Sequence, residues 1–238
     1  MRLDGVEIKV NVAGGDVPGA MDALELADDS SLRIWFYEDT SAGLSLPLLD
    51  AGLVIRVRAK VDDEGDCTVK LRPCRRSQVT PFWLATTETG DVEVRLEEDW
   101  SGDRRALAMS CESELDADAL AAVAAGEQAP DNLLGDLQTR FLSECGPLRV
   151  NVSVLTRLGP IEATKWKKVR AEGLDDLDAR AERWRVADLD FLEVSIKVDA
   201  EDAVRARGEL RDALEALGVP LDTSQETKTR SALTALLR

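Results

Sequence analysis

The sequence predicts an α+β protein built around an antiparallel β-barrel, with a polar, basic lumen and helices packed outside. Three observations support this prediction. Several segments alternate apolar and polar residues, the polar positions are rich in arginine and lysine, and turn signals join neighbouring segments as hairpins. Narrow barrels fill their interior with apolar side chains, whereas a wider barrel can hold a ligand.

The first alternating segment, 5–12, shows the pattern in its clearest form. Val6 and Ile8 begin an apolar face, while Glu7 and Lys9 lie on the opposite face. Strict alternation with a period of two is typical of a β-strand with one buried face.

Four later segments repeat this alternation with charged residues on one face. The rows are Arg56, Arg58 and Lys60; Thr68, Lys70 and Arg72; Glu93, Arg95 and Glu97; and Glu193, Ser195 and Lys197. Exposed cross-strand ion pairs, worth about 0.2–1 kcal/mol each, are the simplest alternative explanation. Because the rows favour cations, we instead expect them to line one shared anion-binding surface.

The remaining segments complete the predicted order of elements. Turns are expected at 28–31 and 62–66, strands at 32–37, 105–110, 148–154, 156–157, 161–169 and 184–186, and helices at 20–27, 116–125, 133–142, 199–217 and 227–237. Asp116 is the predicted cap of its helix. The acidic runs 62–66 and 112–118 are expected to be solvated surface. Residues 1–238 are predicted to form a single domain with a helical segment at about 112–145.

Composition narrows the range of possible chemistry. The chain has 238 residues, a net charge of −16 and no histidine. This acidity argues against a general binder of double-stranded nucleic acid, and the lack of histidine excludes Ser-His-Asp and Cys-His catalysis. Any reaction would have to use carboxylates, lysine or arginine, with a hard cation such as Mg²⁺.

Cellular context is predicted from two further features. The four cysteines lack the paired spacing of a zinc site, so buried reduced thiols are expected. No apolar run approaches the roughly 20 residues of a membrane span, and no signal-peptide core is present near residue 1. A cytoplasmic protein without membrane partners is therefore expected.

A series of short motifs resembles the CYTH superfamily, the triphosphate tunnel metalloenzymes. The family opens with an E-x-E-x-K strand, and its later motifs include R-x-R, R-x-E and E-x-E strands. The matching residues here are, in order, Gly5, Glu7 and Lys9; residues 36–40; Arg56 and Arg58; Lys70; Arg95 and Glu97; Glu193 and Ser195; and Lys228 and Arg230. This resemblance spans nearly the whole chain.

The resemblance implies an eight-stranded tunnel that binds a small anionic triphosphate or polyphosphate. Phosphate contacts are expected from Lys9, Arg56, Arg58, Lys70, Arg72, Arg95, Arg157, Lys197, Lys228 and Arg230. The expected ligands of Mg²⁺ or Mn²⁺ are Glu7, Glu97 and Glu193. The expected catalytic residues are Glu7, Lys9 and Glu193.

Two positions depart from the family pattern. Gly5 and Ser195 stand where the family has glutamate. A hard cation binds more weakly with fewer carboxylates, so several functions remain open. The first is hydrolysis of a terminal phosphoanhydride of inorganic triphosphate, or of a nucleoside or thiamine triphosphate, by a metal-dependent phosphohydrolase. The alternatives are a catalytically impaired protein of the same fold that binds a triphosphate, nucleotide or polyphosphate, an adenylate cyclase, and a structural protein with a polar sheet face.

Overall fold

The strands form a closed β-barrel in a computed structural model that describes residues 3–27, 30–60, 64–221 and 227–238. The strands are β1 Val6–Ala13, β2 Ser30–Glu38, β3 Leu53–Lys60, β4 Gly65–Leu71, β5 Glu88–Thr89, β6 Val92–Ser101, β7 Arg104–Leu115, β8 Thr156–Trp166, β9 Arg180–Val186 and β10 Leu189–Val198. The turns predicted at 28–31 and 62–66 extend partly outside the described residues.

The ring follows the order β1-β10-β9-β8-β2-β3-β4-β7-β6, and β6 pairs back with β1. β5 adds a two-residue pairing to β6. The predicted α+β barrel is confirmed, but it has nine strands rather than eight. An odd ring cannot alternate direction throughout, so one neighbouring pair must be parallel. That pair is β1 and β6. Their paired positions run from Val6 opposite Glu98 to Lys9 opposite Ser101.

Seven helices accompany the barrel in the described part of the chain. They are α1 Val17–Ala23, α2 Pro47–Asp50, α3 Pro81–Ala85, α4 Ala117–Ala125, α5 Asp136–Cys145, α6 Ala203–Ala216 and α7 Lys228–Leu236. The Asp116 carboxylate accepts a hydrogen bond from the Ala119 N–H, which confirms the predicted cap of α4.

Most apolar strand faces point outward and are covered by helices. α1 and α6 pack over β1, β9 and β10, while α3, α4 and α5 pack over β3, β4, β6 and β7. Buried examples are Val6 on β1 and Val69 on β4. Burial of the apolar faces outside the ring leaves the alternate, polar positions of these strands for the lumen.

α7 is the exception, because it packs against apolar residues that face the lumen. Ala232 and Leu233 of α7 share a buried cluster with Ile34, Phe36 and Trp184. This cluster lies on the side of the barrel formed by β2, β8 and β9.

Three predicted strands differ from the structure. Residues 148–154 form no strand, and their partly buried apolar side chains pack at the edge of the outer core beside a short 3₁₀ turn, Val152–Val154. The two short strands expected at 156–157 and 161–169 are one continuous strand, β8. Part of the segment predicted as helical, 112–115, belongs to β7.

The four cysteines are free and buried, as predicted. Burial raises the pKa of the Cys67, Cys111 and Cys145 thiols to about 12, so these groups stay protonated at neutral pH. Among the described residues, no helix is both long enough and apolar enough to span a membrane.

Candidate functional site

The charged rows predicted from the sequence face the lumen of the barrel. Positions that pair directly across neighbouring strands lie on the same face of a sheet. Arg56 pairs with Thr68, Thr68 pairs with Glu112, and Glu7 pairs with Asp99. The shared surface is therefore present, and it combines cations with carboxylates.

Asp99 lies at the centre of one group of lumen cations. Its Oδ2 atom is 3.1 Å from Lys70 Nζ and 3.0 Å from Arg72 Nη1. Lys9 Nζ is 3.6 Å from Asp99 Oδ1 and 2.7 Å from Glu7 Oε2. Three cations thus meet two carboxylates, which leaves one positive charge uncompensated in this group.

The pKa shifts in this group follow from burial and close charges. Burial opposes ionisation of Asp99, but Lys9, Lys70 and Arg72 outweigh it and hold the pKa of Asp99 well below its ordinary value. Burial, together with Lys9 and Arg72, lowers the pKa of Lys70 despite the attraction of Asp99. An additional anion would stabilise the charged form of Lys70.

Arg56 and Arg58 form a second group on β3. Arg58 Nε is 2.9 Å from Asp66 Oδ2, and Arg58 Nη2 is 3.4 Å from Glu112 Oε2. Arg56 donates to the Thr68 hydroxyl at 3.2 Å and lies 3.9 Å from Asp66 Oδ1. Its buried Nε atom has no hydrogen-bond partner among the described residues. Burial and the neighbouring Arg58 charge lower the pKa of Arg56.

Lys228 connects α7 to the lumen. Its Nζ atom is 3.4 Å from Glu182 and 3.3 Å from Glu193, and it lies 4.2 Å from the centre of the Trp184 ring. Burial alone would raise the pKa of Glu182, but Lys228 and the Trp184 N–H lower it to about 2. Glu193 is therefore already engaged by a lysine.

A cavity of about 270 Å³ opens where β6 begins and β10 ends. Its lining includes Arg95 and Lys197, together with Asp4 and Glu93. Arg95 Nε donates to Glu93 at 2.6 Å, and Lys197 pairs with Glu97 on the neighbouring part of β6.

Two of the predicted phosphate-binding residues lie away from these groups. Arg157, expected to contact phosphate, lies on the outside of the ring, where it pairs with the outward-facing Tyr37 and donates to the carbonyl oxygens of Val123 and Ala124. A cation at the C-terminal end of α4 also complements the helix dipole. Arg230 pairs with Asp50 of α2 at 2.7 Å.

Several lumen residues were missing from the sequence prediction. They are Asp66, Asp99, Glu112, Lys165 and Glu182, each of which lies on an inward position of its strand. Asp66 and Glu112 were wrongly assigned to solvated acidic surface. Extending the alternation of β6 by one further step, from Glu97 to Asp99, would have identified Asp99.

The predicted metal ligands do not converge. Glu7, Glu97 and Glu193 each pair with a lysine. Glu193 pairs with Asn11 across β1 and β10, which places it four residues, or about 14 Å along the strand, from Glu7. The described part of the chain contains no group of three or more His, Cys, Asp or Glu side chains suited to a metal ion. The carboxylates present therefore do not fit the predicted Mg²⁺ or Mn²⁺ site.

Comparisons with solved structures support the fold. A protein from Hippeastrum, described as a candidate adenylyl cyclase with a dominant triphosphatase activity, matches with a TM-score of 0.56 and 17% identity over 95% of this chain and 93% of that one. A candidate adenylate cyclase from Bacillus halodurans matches with a TM-score of 0.59 and 12% identity, over 96% and 97% of the two chains.

No protein-family model matches the sequence, and no curated protein matches it. The barrel is the CYTH-type fold that the motifs resemble. At these identities the structural likeness defines the fold alone.

Proposed function

We propose that the lumen binds a phosphoanion of the triphosphate or polyphosphate class. The proposal rests mainly on Arg56, a lumen guanidinium whose buried Nε atom lacks a partner among the described residues. Burial and the neighbouring Arg58 charge lower its pKa. A multivalent anion would supply an acceptor oxygen for this atom and negative charge beside the two guanidinium groups.

The spacing of the cations suits an extended anion. Val54 pairs with Lys70 and Arg56 pairs with Thr68, so Arg56 and Lys70 are diagonal neighbours, roughly 7–8 Å apart at Cα. One chain of phosphates could therefore contact the Arg56 group and the Asp99-centred group together. Arginine supplies a planar fork for two oxygens, and lysine supplies a compact point charge.

The lumen cations are accessible to water, which favours a binding site over a buried cluster of ion pairs. The side chains of Arg56 and Lys70 are 25% and 21% exposed, although both lie inside the ring. A small anion can therefore exchange with the water that these cations contact.

Hydrolysis of a terminal phosphoanhydride is the second candidate, favoured by the triphosphatase activity described for the Hippeastrum protein. In this reaction water attacks the terminal phosphorus, and the bond to the bridging oxygen breaks. Arg56 and Arg58 would stabilise negative charge on the leaving group. Glu7, Lys9 and Glu193 remain the proposed catalytic residues.

Calorimetry with inorganic triphosphate and ATP tests the binding proposal, with Mg²⁺, with Mn²⁺ and with a chelator. Arg56→Ala should weaken binding by about tenfold or more, because a buried charged contact is lost. Arg205→Ala is the matched control, since Arg205 is exposed on α6 and pairs with Glu209. Absence of binding by the unsubstituted protein under all three conditions would overturn the proposal.

Product analysis of the same mixtures separates the candidate functions. Phosphate release that disappears in Glu7→Gln would support the hydrolase. Binding without phosphate release would support an anion-binding protein. Formation of cyclic AMP from ATP would support the cyclase alternative.

A further inference from the structure

Gly5 has a backbone conformation that favours glycine. Its φ angle is +138°, and an added Cβ atom would lie 2.9 Å from Lys197 Cε and 3.3 Å from the Val198 carbonyl oxygen. Residues other than glycine rarely adopt this backbone conformation. An added Cβ atom would also force the Lys197 side chain or the Val198 carbonyl to move. The glycine therefore leaves room for the lysine side chain to pass.

Lys197 uses this space to cross from one strand to another. β1 lies between β10 and β6 in the ring, and Lys197 on β10 pairs directly with Glu7 on β1. The Lys197 ammonium nevertheless contacts the carboxylate of Glu97 on β6. The backbone bond from Glu98 N–H to the Gly5 carbonyl, 3.1 Å long, places Gly5 beside this crossing.

We propose that the Lys197 ammonium is a built-in cation that takes the place of a divalent metal at the Glu97 end of the lumen. Phosphoanion binding is then independent of Mg²⁺ and Mn²⁺. The metal independence of phosphoanion binding rests on the proposed function. The contact of Lys197 with Glu97, a predicted metal ligand, does not rest on it.

The chemistry of the cavity agrees with this role. Lys197 is 39% exposed and lines the cavity with Arg95, so its ammonium can donate to an anion while it remains paired with Glu97. A lysine ammonium has three donors. It also repels a divalent cation and occupies a carboxylate oxygen that such a cation would need.

The two departures from the family pattern are consistent with a monovalent cation. Gly5 supplies no carboxylate and gives Lys197 its path, while Ser195 supplies only a hydroxyl on the lumen face, directly opposite Lys9. One ammonium needs less negative charge around it than a divalent ion does. Restoring Glu at position 5 would strain the backbone and displace the lysine.

Direct Mn²⁺ titration, followed by electron paramagnetic resonance without any phosphate compound, tests the built-in cation. Lys197→Ser should bind Mn²⁺ about tenfold more tightly than the unsubstituted protein, because Glu97 becomes free. Lys168→Ser is the matched control, since Lys168 is a surface lysine paired with Asp175 at 2.9 Å. Adding Glu97→Gln to Lys197→Ser should abolish the gain.

Triphosphate calorimetry tests the consequence for binding. The unsubstituted protein and Lys197→Arg, which keeps the charge, should bind inorganic triphosphate with affinities that differ by less than about threefold between Mg²⁺ and a chelator. Lys197→Ser should bind inorganic triphosphate about tenfold more weakly in the chelator, and Mn²⁺ should restore its affinity.

The outcomes distinguish this inference from the proposed function. If the unsubstituted protein needs Mg²⁺ or Mn²⁺ to bind triphosphate, or if Lys197→Ser gains no Mn²⁺ affinity, the built-in cation is refuted. If no triphosphate binds under any condition while Lys197→Ser gains Mn²⁺ affinity, the proposed function fails and the placement of Lys197 in the metal position stands. Lys197→Arg keeps the calorimetric test decisive should Lys197→Ser fold poorly.

Discussion

The two sides of the barrel interior have opposite chemistry. On β1, β3, β4 and β6, inward positions carry ionic residues such as Lys9, Arg56 and Asp99. On β2, β8 and β9, apolar inward residues such as Ile34 and Trp184 pack against α7, although Lys165 and Glu182 also lie at inward positions. One barrel interior therefore contains part of the core on one side and the candidate site on the other.

The two sides contribute differently to stability. Apolar burial on the α7 side stabilises the fold, by about 25 cal/mol for each Å² removed from water. Ion pairs on the charged side largely offset the cost of burying their own charges. The α7 side thus stabilises the fold from inside the ring, while the charged side can be adapted to a ligand.

The largest expected effect comes from breaking the apolar side. Ile34→Ala should lower the free energy of unfolding by about 2–5 kcal/mol, because a fully buried side chain is truncated and leaves a cavity. Urea unfolding measures this change. Val204→Ala, at an exposed position of α6, should change the free energy of unfolding by no more than about 0.5 kcal/mol. A loss below about 1 kcal/mol for Ile34→Ala would show that this side is loosely packed.

Glu182 joins the two sides, since it pairs with Lys228 of α7. Its folded pKa of about 2 lies below its ordinary value of 4.5. Its stabilising contribution is therefore fully present above pH 4.5 and is lost as the pH falls toward 2. This contribution reaches about 3 kcal/mol. In Glu182→Gln, the free energy of unfolding should fall less steeply as the pH drops across this range. A pH profile identical to that of the unsubstituted protein would contradict the stabilising role of the ionised Glu182.

Two glycine substitutions test the backbone at the charged side. Gly5→Ala should lower the free energy of unfolding by about 1–3 kcal/mol, because the φ angle of Gly5 is positive and Lys197 lies close to it. Gly208→Ala is the control in α6, where no atom lies within 4 Å of the added Cβ. Gly208→Ala should stabilise the protein by up to about 1 kcal/mol. Thermal unfolding that shows equal shifts for both variants would refute a special role for Gly5.

The smallest effect concerns the balance of charge around Asp99. Asp99→Asn removes a carboxylate shared by Lys9, Lys70 and Arg72, so triphosphate should bind about tenfold more tightly. Calorimetry at constant ionic strength measures this difference. Weaker binding would mean that Asp99 mainly positions the cations and does not compete with the anion.

Much of the barrel could be predicted because strand alternation is a local property. Each row, such as Glu7 with Lys9 or Arg56 with Arg58, is defined by residues two positions apart on one strand. Turn residues and the amphipathic pattern of α6 are also local. The same reasoning failed for 148–154, where alternating residues pack at the edge of the outer core without a neighbouring strand.

Contacts between rows depend on strand register and closure, which local patterns do not contain. Asp99 meets Lys9 because β6 closes onto β1 across 90 positions of sequence, and Glu182 meets Lys228 because α7 returns to the lumen. Neither pairing follows from spacing along the chain. The amino-acid order alone therefore specified the strands and the charged faces, whereas the closed ring assigned each cation its carboxylate and brought Lys197 to Glu97, because only ring closure sets distances between remote strands.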